Sequence, residues 1–196
     1  MKDKKKFFGI ALMVIGLLVI VISAGIKINS MNTEKKIREE YEQALNDLQK
    51  GADEKMDEDP KLGFENEDID AIGIMVIPKI NVKVLVAEGT EDEKLKYYVG
   101  HFENTALPGE KGNFAVAGHR NSIYNEMFRD VNQLEAGDDI IVRTAKGEFT
   151  YKVKEQKVIE PTDVDILDPT DDSTVTLVTC TIGGKQRLVV IGELEK

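Results

Sequence analysis

The sequence of 196 residues is poor in the residues that cross-link small domains or bind metals, with one cysteine and two histidines. A single cysteine excludes an intramolecular disulfide, so stability must come from packing. The patterns GxxxxGK[ST], CxxC and HExxH and the dinucleotide fingerprint are missing, which leaves nucleotide and zinc chemistry without support. The sequence therefore predicts no cofactor and no metal. A net charge of −10, with no basic stripe beyond the N-terminus, argues against nucleic-acid binding.

Charge is absent from one long run, Phe7–Ile26, which contains 20 consecutive uncharged residues. As a helix this run would extend about 30 Å, the thickness of the hydrocarbon core of a bilayer. A cleaved signal peptide fits less well, because its apolar region is normally about 7 to 15 residues long and no A-x-A-like site follows. We expect an uncleaved signal anchor in a single-pass membrane protein. Lys2 and the lysines at 4–6 predict a cytoplasmic N-terminus, with the chain after residue 28 on the extracellular face.

Two polar segments follow the apolar run. The first, MNTEKKIREEYEQALNDLQKG, spaces Ile37, Tyr41, Ala44 and Leu48 at helical intervals, but two heptads are too few for a coiled coil. Such a seam could pair with another helix or pack on the domain, but we expect a solvated helical stalk. The second, residues 51–70, holds nine acids against two lysines and predicts a disordered, self-repelling linker. The expected organisation is a basic tail and membrane anchor at 1–28, a stalk and acidic linker at 29–70, and an extracellular domain at 71–196.

From Ala71 onward the pattern changes to short β-strands. INVKVLV, residues 80–86, places apolar side chains at alternate positions and predicts a half-buried strand. Further runs, among them NFAVAG, DDIIVRT, EFTYKVKE, TVTLVT and RLVVIGEL, predict more strands, two of them joined across AKG as a hairpin. Thr90 and Glu93 form a capping-box pattern for a short helix. An all-β domain with one or two short helices and no βαβ rhythm indicates a closed barrel or a sandwich.

The single cysteine, Cys180, lies where one of these strands ends. By residue type alone we expect it to be a small, buried apolar side chain. However, the six residues TIGGKQ separate it from Arg187, and their two glycines suit a turn. A hairpin would bring the two Cα atoms to roughly 5 Å, where the guanidinium could donate hydrogen bonds to an oxyanion. The alternative is that Arg187 is a surface arginine at the start of a strand. His119, closing the strand NFAVAG, and His101, in a loop-like stretch, are the available proton carriers.

The motifs TLVTC, an arginine before the last strand, and AGHR some sixty residues upstream together resemble the sortases of Gram-positive bacteria. The resemblance extends from about Ile72 to Leu194 and includes LPGEKGNFAVAGHR, LEAGDDIIV and VIEPTDVDIL. The N-terminal anchor also fits the family, and the details look most like class D. The resemblance implies an eight-stranded β-barrel and a cysteine transpeptidase.

The resemblance also implies roles for individual residues. Cys180 would attack the Thr–Gly bond of an LPxTG-like sorting signal and form a thioester, His119 would transfer protons, and Arg187 would stabilise the oxyanion. An amine of the peptidoglycan precursor would then take the threonine carboxyl, which anchors the surface protein to the cell wall. His101 and Thr179 are accessory candidates. Arg120 is left out of the chemistry, because on a continuing strand it would point away from the side chain of His119.

The loop expected to recognise the sorting signal is the segment between KVKE and STVTL, residues 156–172. Its candidate contact residues are Val158, Ile159, Pro161, Val164, Ile166 and Leu167.

Three other functions remain open. A class A-like housekeeping sortase would also carry PTDVDIL. A class C pilin polymerase is disfavoured, because Asp59 and Pro60 are followed by Lys61 where such enzymes have an aromatic lid residue, and no hydrophobic span follows GELEK. A membrane-tethered module that binds sorting signals without cleaving them is the non-enzymatic alternative.

Overall fold

The computed structural model describes residues 2–50, 62–64 and 67–195. The chain begins with helix α1, Lys2–Lys50, and a short antiparallel pair, β1 Leu62–Phe64 and β2 Glu67–Ile69. The remaining elements are β3 Ala71–Ile77, β4 Val82–Glu88, α2 Asp92–Leu95, β5 Val99–His101, β6 Gly112–Ala117, β7 Asp139–Thr144, β8 Gly147–Ile159, β9 Ser173–Cys180 and β10 Arg187–Leu194. Three 3₁₀ turns lie at Pro78–Ile80, Val131–Gln133 and Val164–Leu167. Most of the predicted acidic linker, residues 51–61 and 65–66, lies outside the described residues.

Strands β3 to β10 close into a barrel in the order β10-β8-β7-β3-β4-β5-β6-β9, with β9 pairing β10. The predicted eight-stranded barrel is therefore confirmed. Its interior is filled by the alternate apolar side chains of every strand, such as Val84 and Val86 of β4 and Val175 and Leu177 of β9. This alternation is the one that the sequence shows, because successive side chains on a strand point to opposite faces.

Helix α1 is one continuous helix that includes both the apolar run and the predicted stalk. Its N-terminal part has a mean hydropathy of 2.9 over a window long enough to cross a membrane, and its apolar side chains are exposed. Its C-terminal part is not a solvated stalk. Ile37, Tyr41 and Leu45 are buried against the outside of the barrel, so this expectation was wrong.

The surface that α1 covers is the outer face of β3 and β4. A second apolar core forms there, in which the helix residues meet Ile74 of β3, Leu85 of β4 and Tyr98. Strand β4 is therefore buried on both faces and not half-buried as its alternation suggested.

Polar contacts tie α1 to the same surface. The Tyr41 hydroxyl donates to the carbonyl of Ile72 at 3.1 Å, and Glu42 binds both Lys83 at 2.5 Å and Arg143 at 3.2 Å.

Helix α2 begins after Glu91, whose side chain makes no capping hydrogen bond. The predicted capping box of Thr90 and Glu93 is not formed. The N-cap is Glu91, so Thr90 lies one residue too early for the capping box, and the Glu93 carboxylate instead accepts a hydrogen bond from Lys96 at 2.7 Å.

The docking of α1 predicts a stability effect far from any functional residue. Leu45 is 1% exposed, so Leu45→Ala should lower the free energy of unfolding by about 2 to 4 kcal/mol through lost burial and a cavity. The Lys36 side chain, on the same helix, is 73% exposed, and Lys36→Ala should cost less than about 1 kcal/mol. Chemical denaturation of the full chain in detergent micelles compares the two. Equal losses would contradict a docked helix.

Candidate active site

Three predicted site residues lie side by side at one end of the barrel. Cys180 ends β9 and Arg187 begins β10, and the two are direct partners in the antiparallel ladder. His119 follows β6, which runs parallel to β9 with Ala117 opposite Val178. Both His119 and Cys180 stand two residues beyond that pair, so the parallel register sets them at the same level. The three residues form a row, with the cysteine in the middle.

The row lies on the outer face of the barrel wall and not across its mouth. Val175 and Leu177 of β9 point into the barrel core, so the alternation places Cys180 on the opposite face. Paired residues of neighbouring strands project to the same side, which puts Arg187 there as well. Cys180 and Arg187 are both half-buried, as a nucleophile and an oxyanion donor must be to reach a bound peptide.

The turn TIGGKQ has the conformation that its glycines predicted. Gly183 and Gly184 have φ values of 89° and 73°, which favour glycine because it lacks a Cβ. Thr181 closes the turn, since its amide donates to the Gln186 carbonyl at 3.0 Å and its hydroxyl accepts from the Gln186 amide at 3.2 Å. The predicted hairpin between Cys180 and Arg187 is thereby confirmed.

Thr179 joins the ends of β6 and β9. Its side chain points inward and is 3% exposed, and its hydroxyl donates to the carbonyl of Gly118 at 2.7 Å. The Gly118 amide in turn donates to the Val178 carbonyl at 3.1 Å. These bonds connect the segments that directly precede His119 and Cys180. Thr179 thereby fixes the distance between the backbones at His119 and Cys180 from the inner side of the barrel wall.

The backbone around His119 is not a strand, because β6 ends at Ala117. The His119 carbonyl accepts the amide of Phe128 at 3.0 Å, so the chain leaves the barrel at His119 and returns nine residues later. Burial of the half-exposed imidazole lowers the pKa of His119, and the negative charge of Asp92 on α2 opposes that shift. Asp92 is a neighbour of the site that the sequence did not reveal, since 27 residues separate it from His119.

A cleft of about 530 Å³ opens beside Cys180. One wall is the turn at residues 180–184, and the other is formed by Arg120, Asn121, Arg129 and Asp130, at the two ends of the segment 120–130, which we call the 120–130 loop.

The reason given for leaving Arg120 out of the chemistry was wrong. It assumed that β6 continued through Arg120 with alternating side chains, but the strand ends three residues earlier. Arg120 lies in the cleft wall, where its guanidinium donates to the Asn132 side chain at 2.9 Å.

Arg187 is available to a ligand. Its described hydrogen bond is the one to the Gln186 carbonyl, at 3.4 Å, and no carboxylate of the described residues lies within ion-pair distance of its guanidinium. A half-buried guanidinium without an acidic partner retains donors for an anionic group on a ligand.

The expected substrate loop differs from the prediction at its start. Residues 156–159 belong to β8, so Val158 and Ile159 are strand residues paired with Leu188 and Arg187. No sequence pattern indicated this strand end, because residues 154–157, KEQK, are all polar and break the alternation of apolar and polar residues. Ile159 consequently extends the row of site residues by one strand, next to Arg187.

The rest of the substrate-loop segment passes over the outer face of β6. Asn113, 3% exposed, donates from its side-chain amide to the carbonyl of Ile166 at 2.8 Å and accepts the Thr176 hydroxyl at 2.7 Å. The loop is thus fastened to the same barrel face that carries Cys180. Within it, Pro161 and Val164 are exposed, while Leu167 lines a separate cleft of about 590 Å³ together with Phe102.

His101 is held inside a hydrogen-bond network. It is 1% exposed, its Nδ1 lies 2.9 Å from a Glu88 carboxylate oxygen, and its Nε2 lies 2.9 Å from the Thr105 hydroxyl and 3.1 Å from the Ala106 carbonyl. The ring also packs on Phe114, with centroids 5.4 Å apart. Both ring nitrogens are occupied, which favours a structural role for His101 over its accessory role near the site.

No group of three or more histidine, cysteine, aspartate or glutamate side chains suited to a metal ion occurs in the described part of the chain.

Comparison with known proteins connects this geometry to a family. The family model described as "Sortase domain" matches residues 75–195. The chain belongs to the sortase family. Sortase D of Bacillus subtilis (strain 168) is 36% identical over 107 residues, which are 55% of this chain and 52% of that protein. Sortase SrtE1 of Streptomyces coelicolor is 38% identical over 139 residues, which are 62% of this chain and 39% of that protein. The chain thus spans about half or less of the lengths of these two relatives.

Among solved structures, a sortase D5 transpeptidase of Clostridium perfringens is similar with a TM-score of 0.64 and 36% identity, covering 88% of this chain and 99% of that chain. Sortase E of Streptomyces avermitilis is similar with a TM-score of 0.58 and 35% identity, covering 65% of this chain and 89% of that chain. The resemblance of this sortase to class D, stated from its motifs, is therefore confirmed.

The electrostatics around His119 give a prediction that needs no substrate. The Asp92 charge stabilises the protonated imidazole, so Asp92→Asn should lower the pKa of His119 further. Because the chain has two histidines, a pH titration followed by NMR can be assigned to the His119 ring in the wild-type and variant chains. Glu93→Gln, one residue further along α2, is the matched control and should leave the His119 titration in place. A His119 pKa that stays the same in Asp92→Asn would rule out this coupling.

Proposed function

We propose that this sortase is a cysteine transpeptidase that joins secreted surface proteins to the cell wall. Its substrate would be an LPxTG-like sorting signal, cleaved between threonine and glycine, and its acceptor an amine of the peptidoglycan precursor. The observation that supports this most is the row of His119, Cys180 and Arg187, in which a proton carrier and a guanidinium with no ion-pair partner among the described residues flank the one thiol of the chain.

The row accounts for each step of an acyl transfer. The Cys180 sulfur, as thiolate, attacks the threonine carbonyl carbon, and the resulting oxyanion accepts hydrogen bonds from the Arg187 guanidinium. The carbon–nitrogen bond then breaks, the protonated His119 gives its proton to the leaving glycine amine, and a thioester to threonine remains. The acceptor amine attacks this thioester, gives its proton to His119, and releases the Cys180 thiolate as the new amide forms.

The surroundings of the row suit an extended peptide. The cleft opens beside Cys180, and the loop bonded to Asn113 lies over the neighbouring β6 and β9. The exposed Ile182 and Val164 provide apolar surface around this face of the barrel. Burial of apolar substrate side chains there would hold the scissile bond against the sulfur.

The apolar part of α1 would anchor the protein as a single membrane span. Its hydropathy, its exposure and the lysines before it support an N-terminus in the cytoplasm and a catalytic barrel on the extracellular face. A membrane location on that side would place the thiol where secreted proteins emerge.

The activity is tested with the full chain in detergent micelles, because removal of α1 would uncover the apolar face of β3 and β4. Fluorogenic LPxTG-like peptides are incubated with hydroxylamine or with an oligoglycine amine. We expect cleavage after threonine, with the threonine hydroxamate or the oligoglycine amide as product, and none with Cys180→Ala. Peptide binding without turnover across a panel of sequences would instead favour the non-enzymatic binding module.

The role of Arg187 is tested separately. Arg187→Lys keeps the charge but loses the planar fork of donors, so kcat should fall about 10²-fold while the fold is retained. Lys185→Arg, in the exposed turn before Arg187, is the matched control and should leave turnover unchanged. Circular dichroism of both variants checks the fold. Turnover at the wild-type rate in Arg187→Lys would remove this residue from the oxyanion site.

A further inference from the structure

The contacts of α1 with the barrel fix how far the barrel lies from the membrane span. Lys27 follows directly on the apolar run and binds Glu126 at 2.7 Å. Three residues later the Ser30 hydroxyl donates to the Lys96 carbonyl at 2.8 Å. With a rise of about 1.5 Å per residue, both contacts lie within about 6 Å, along the helix axis, of the last residue of the span. No flexible segment intervenes, because α1 is continuous through these positions.

These contacts place the 120–130 loop at the level of the membrane surface. Glu126 is part of this loop, and Asn125 holds the loop against the end of α2 by donating to the carbonyls of Leu95 and Lys96 at 2.8 Å and 2.7 Å. Ser30 and Asn125 therefore converge on Lys96 from two elements, and Asn125 is 5% exposed. These part-buried hydrogen bonds fix the position of the loop relative to the end of the span.

The exposed side chains at this level have the character of an interfacial surface. Ile123, two residues before Asn125, is 55% exposed, and Ile28 and Met31 of α1 are 58% and 55% exposed. Outside α1, large apolar side chains with such exposure are few among the described residues, the others being Val158, Val164 and Ile182. An exposed isoleucine fixed next to the end of a membrane span is suited to the boundary between headgroups and acyl chains.

The charges of the loop do not oppose this position. Glu126 forms ion pairs with both Lys27 and Arg129, and hydrogen bonding from Lys27 lowers the pKa of Glu126. The negative charge of the carboxylate is therefore compensated by neighbouring positive charges. Lys96 lies over the ring of Tyr124, 5.3 Å from its centroid, with its ammonium bound to Glu93. Long basic side chains beside aromatic rings are common at membrane–water interfaces, because their apolar stems can lie in the acyl region while their charges reach water.

We propose that the 120–130 loop docks into the lipid surface through Ile123, so that the barrel rests on the membrane and does not stand away from it on a stalk. The inference rests on the membrane anchor proposed above and goes beyond it. Because Arg120, Asn121, Arg129 and Asp130 at the ends of this loop line the cleft beside Cys180, docking holds that cleft next to the lipid headgroups.

The absence of tryptophan from the chain allows a direct test. Single-tryptophan variants of the full chain are reconstituted into vesicles of phosphatidylcholine and phosphatidylglycerol, with or without lipids brominated on the upper acyl chain. Ile123→Trp reports the loop, and Leu12→Trp, at an exposed position within the apolar run, is the positive control. Lys146→Trp, in the exposed turn after β7, is the negative control. Nearby Arg143 binds Glu42, which is about 22 Å farther along α1 than Lys27.

We expect brominated lipid to remove about half or more of the fluorescence of Ile123→Trp, because a side chain buried about 5–10 Å into the boundary lies close to the bromine atoms. Leu12→Trp should be quenched as well and Lys146→Trp should not. If the vesicles retain the protein after an alkaline wash but Ile123→Trp is quenched no more than Lys146→Trp, docking is wrong while the anchor stands. If the alkaline wash releases the protein, the anchor and the docking both fail. Neither result depends on peptide cleavage.

Discussion

The register between β6 and β9 is the constraint on which the site depends. These strands are 61 residues apart in sequence, and their parallel pairing is what brings His119 to Cys180. Strand β9 pairs on its other side with β10, which adds Arg187. Because one slip of register would reverse the side-chain faces, the buried alternation of Val175, Leu177 and Thr179 sets the site as much as it fills the core. The hydrogen bond from the Thr179 hydroxyl to the Gly118 carbonyl stabilises this register at the site.

A second constraint is the continuity of α1. Helices of this length usually owe their stability to the partner on which they pack, and α1 has two: lipid along its first half, as we propose, and the outer face of β3 and β4 along its second. Burial of Tyr41 and Leu45 makes the second half part of the folded domain. A barrel joined to its span by a rigid, packed helix has few orientations relative to the membrane, whereas a barrel on an acidic, disordered linker would have many.

The sequence predicted the parts of the molecule that local patterns determine. Alternating apolar residues identified the strands, and paired glycines at 183 and 184 located the turn between Cys180 and Arg187. It failed where distant partners decide the outcome. The helical spacing of Ile37 and Tyr41 is the same in a solvated helix as in a docked one, so the sequence could not predict the second core. For the same reason β4 was predicted to be half-buried. Strand β8 was ended four residues early because residues 154–157 are all polar and show no alternation of apolar and polar side chains.

The same physical reason explains why Arg120 and Asp92 were missed as neighbours of the site. Both residues come near the site through a change of chain direction that no local sequence pattern indicates. Strand β6 ends at Ala117, so Arg120 is no longer part of the strand. Helix α2, which carries Asp92, is held near His119 by the hydrogen bonds that Asn125 donates to the end of the helix. Asn125 and Glu126 both belong to the 120–130 loop, and Glu126 binds Lys27 of α1. This loop is therefore held by the barrel at one end, through the His119 carbonyl, and by α1 at its middle. The position of one cleft wall is thus set by the helix that we propose as the membrane anchor.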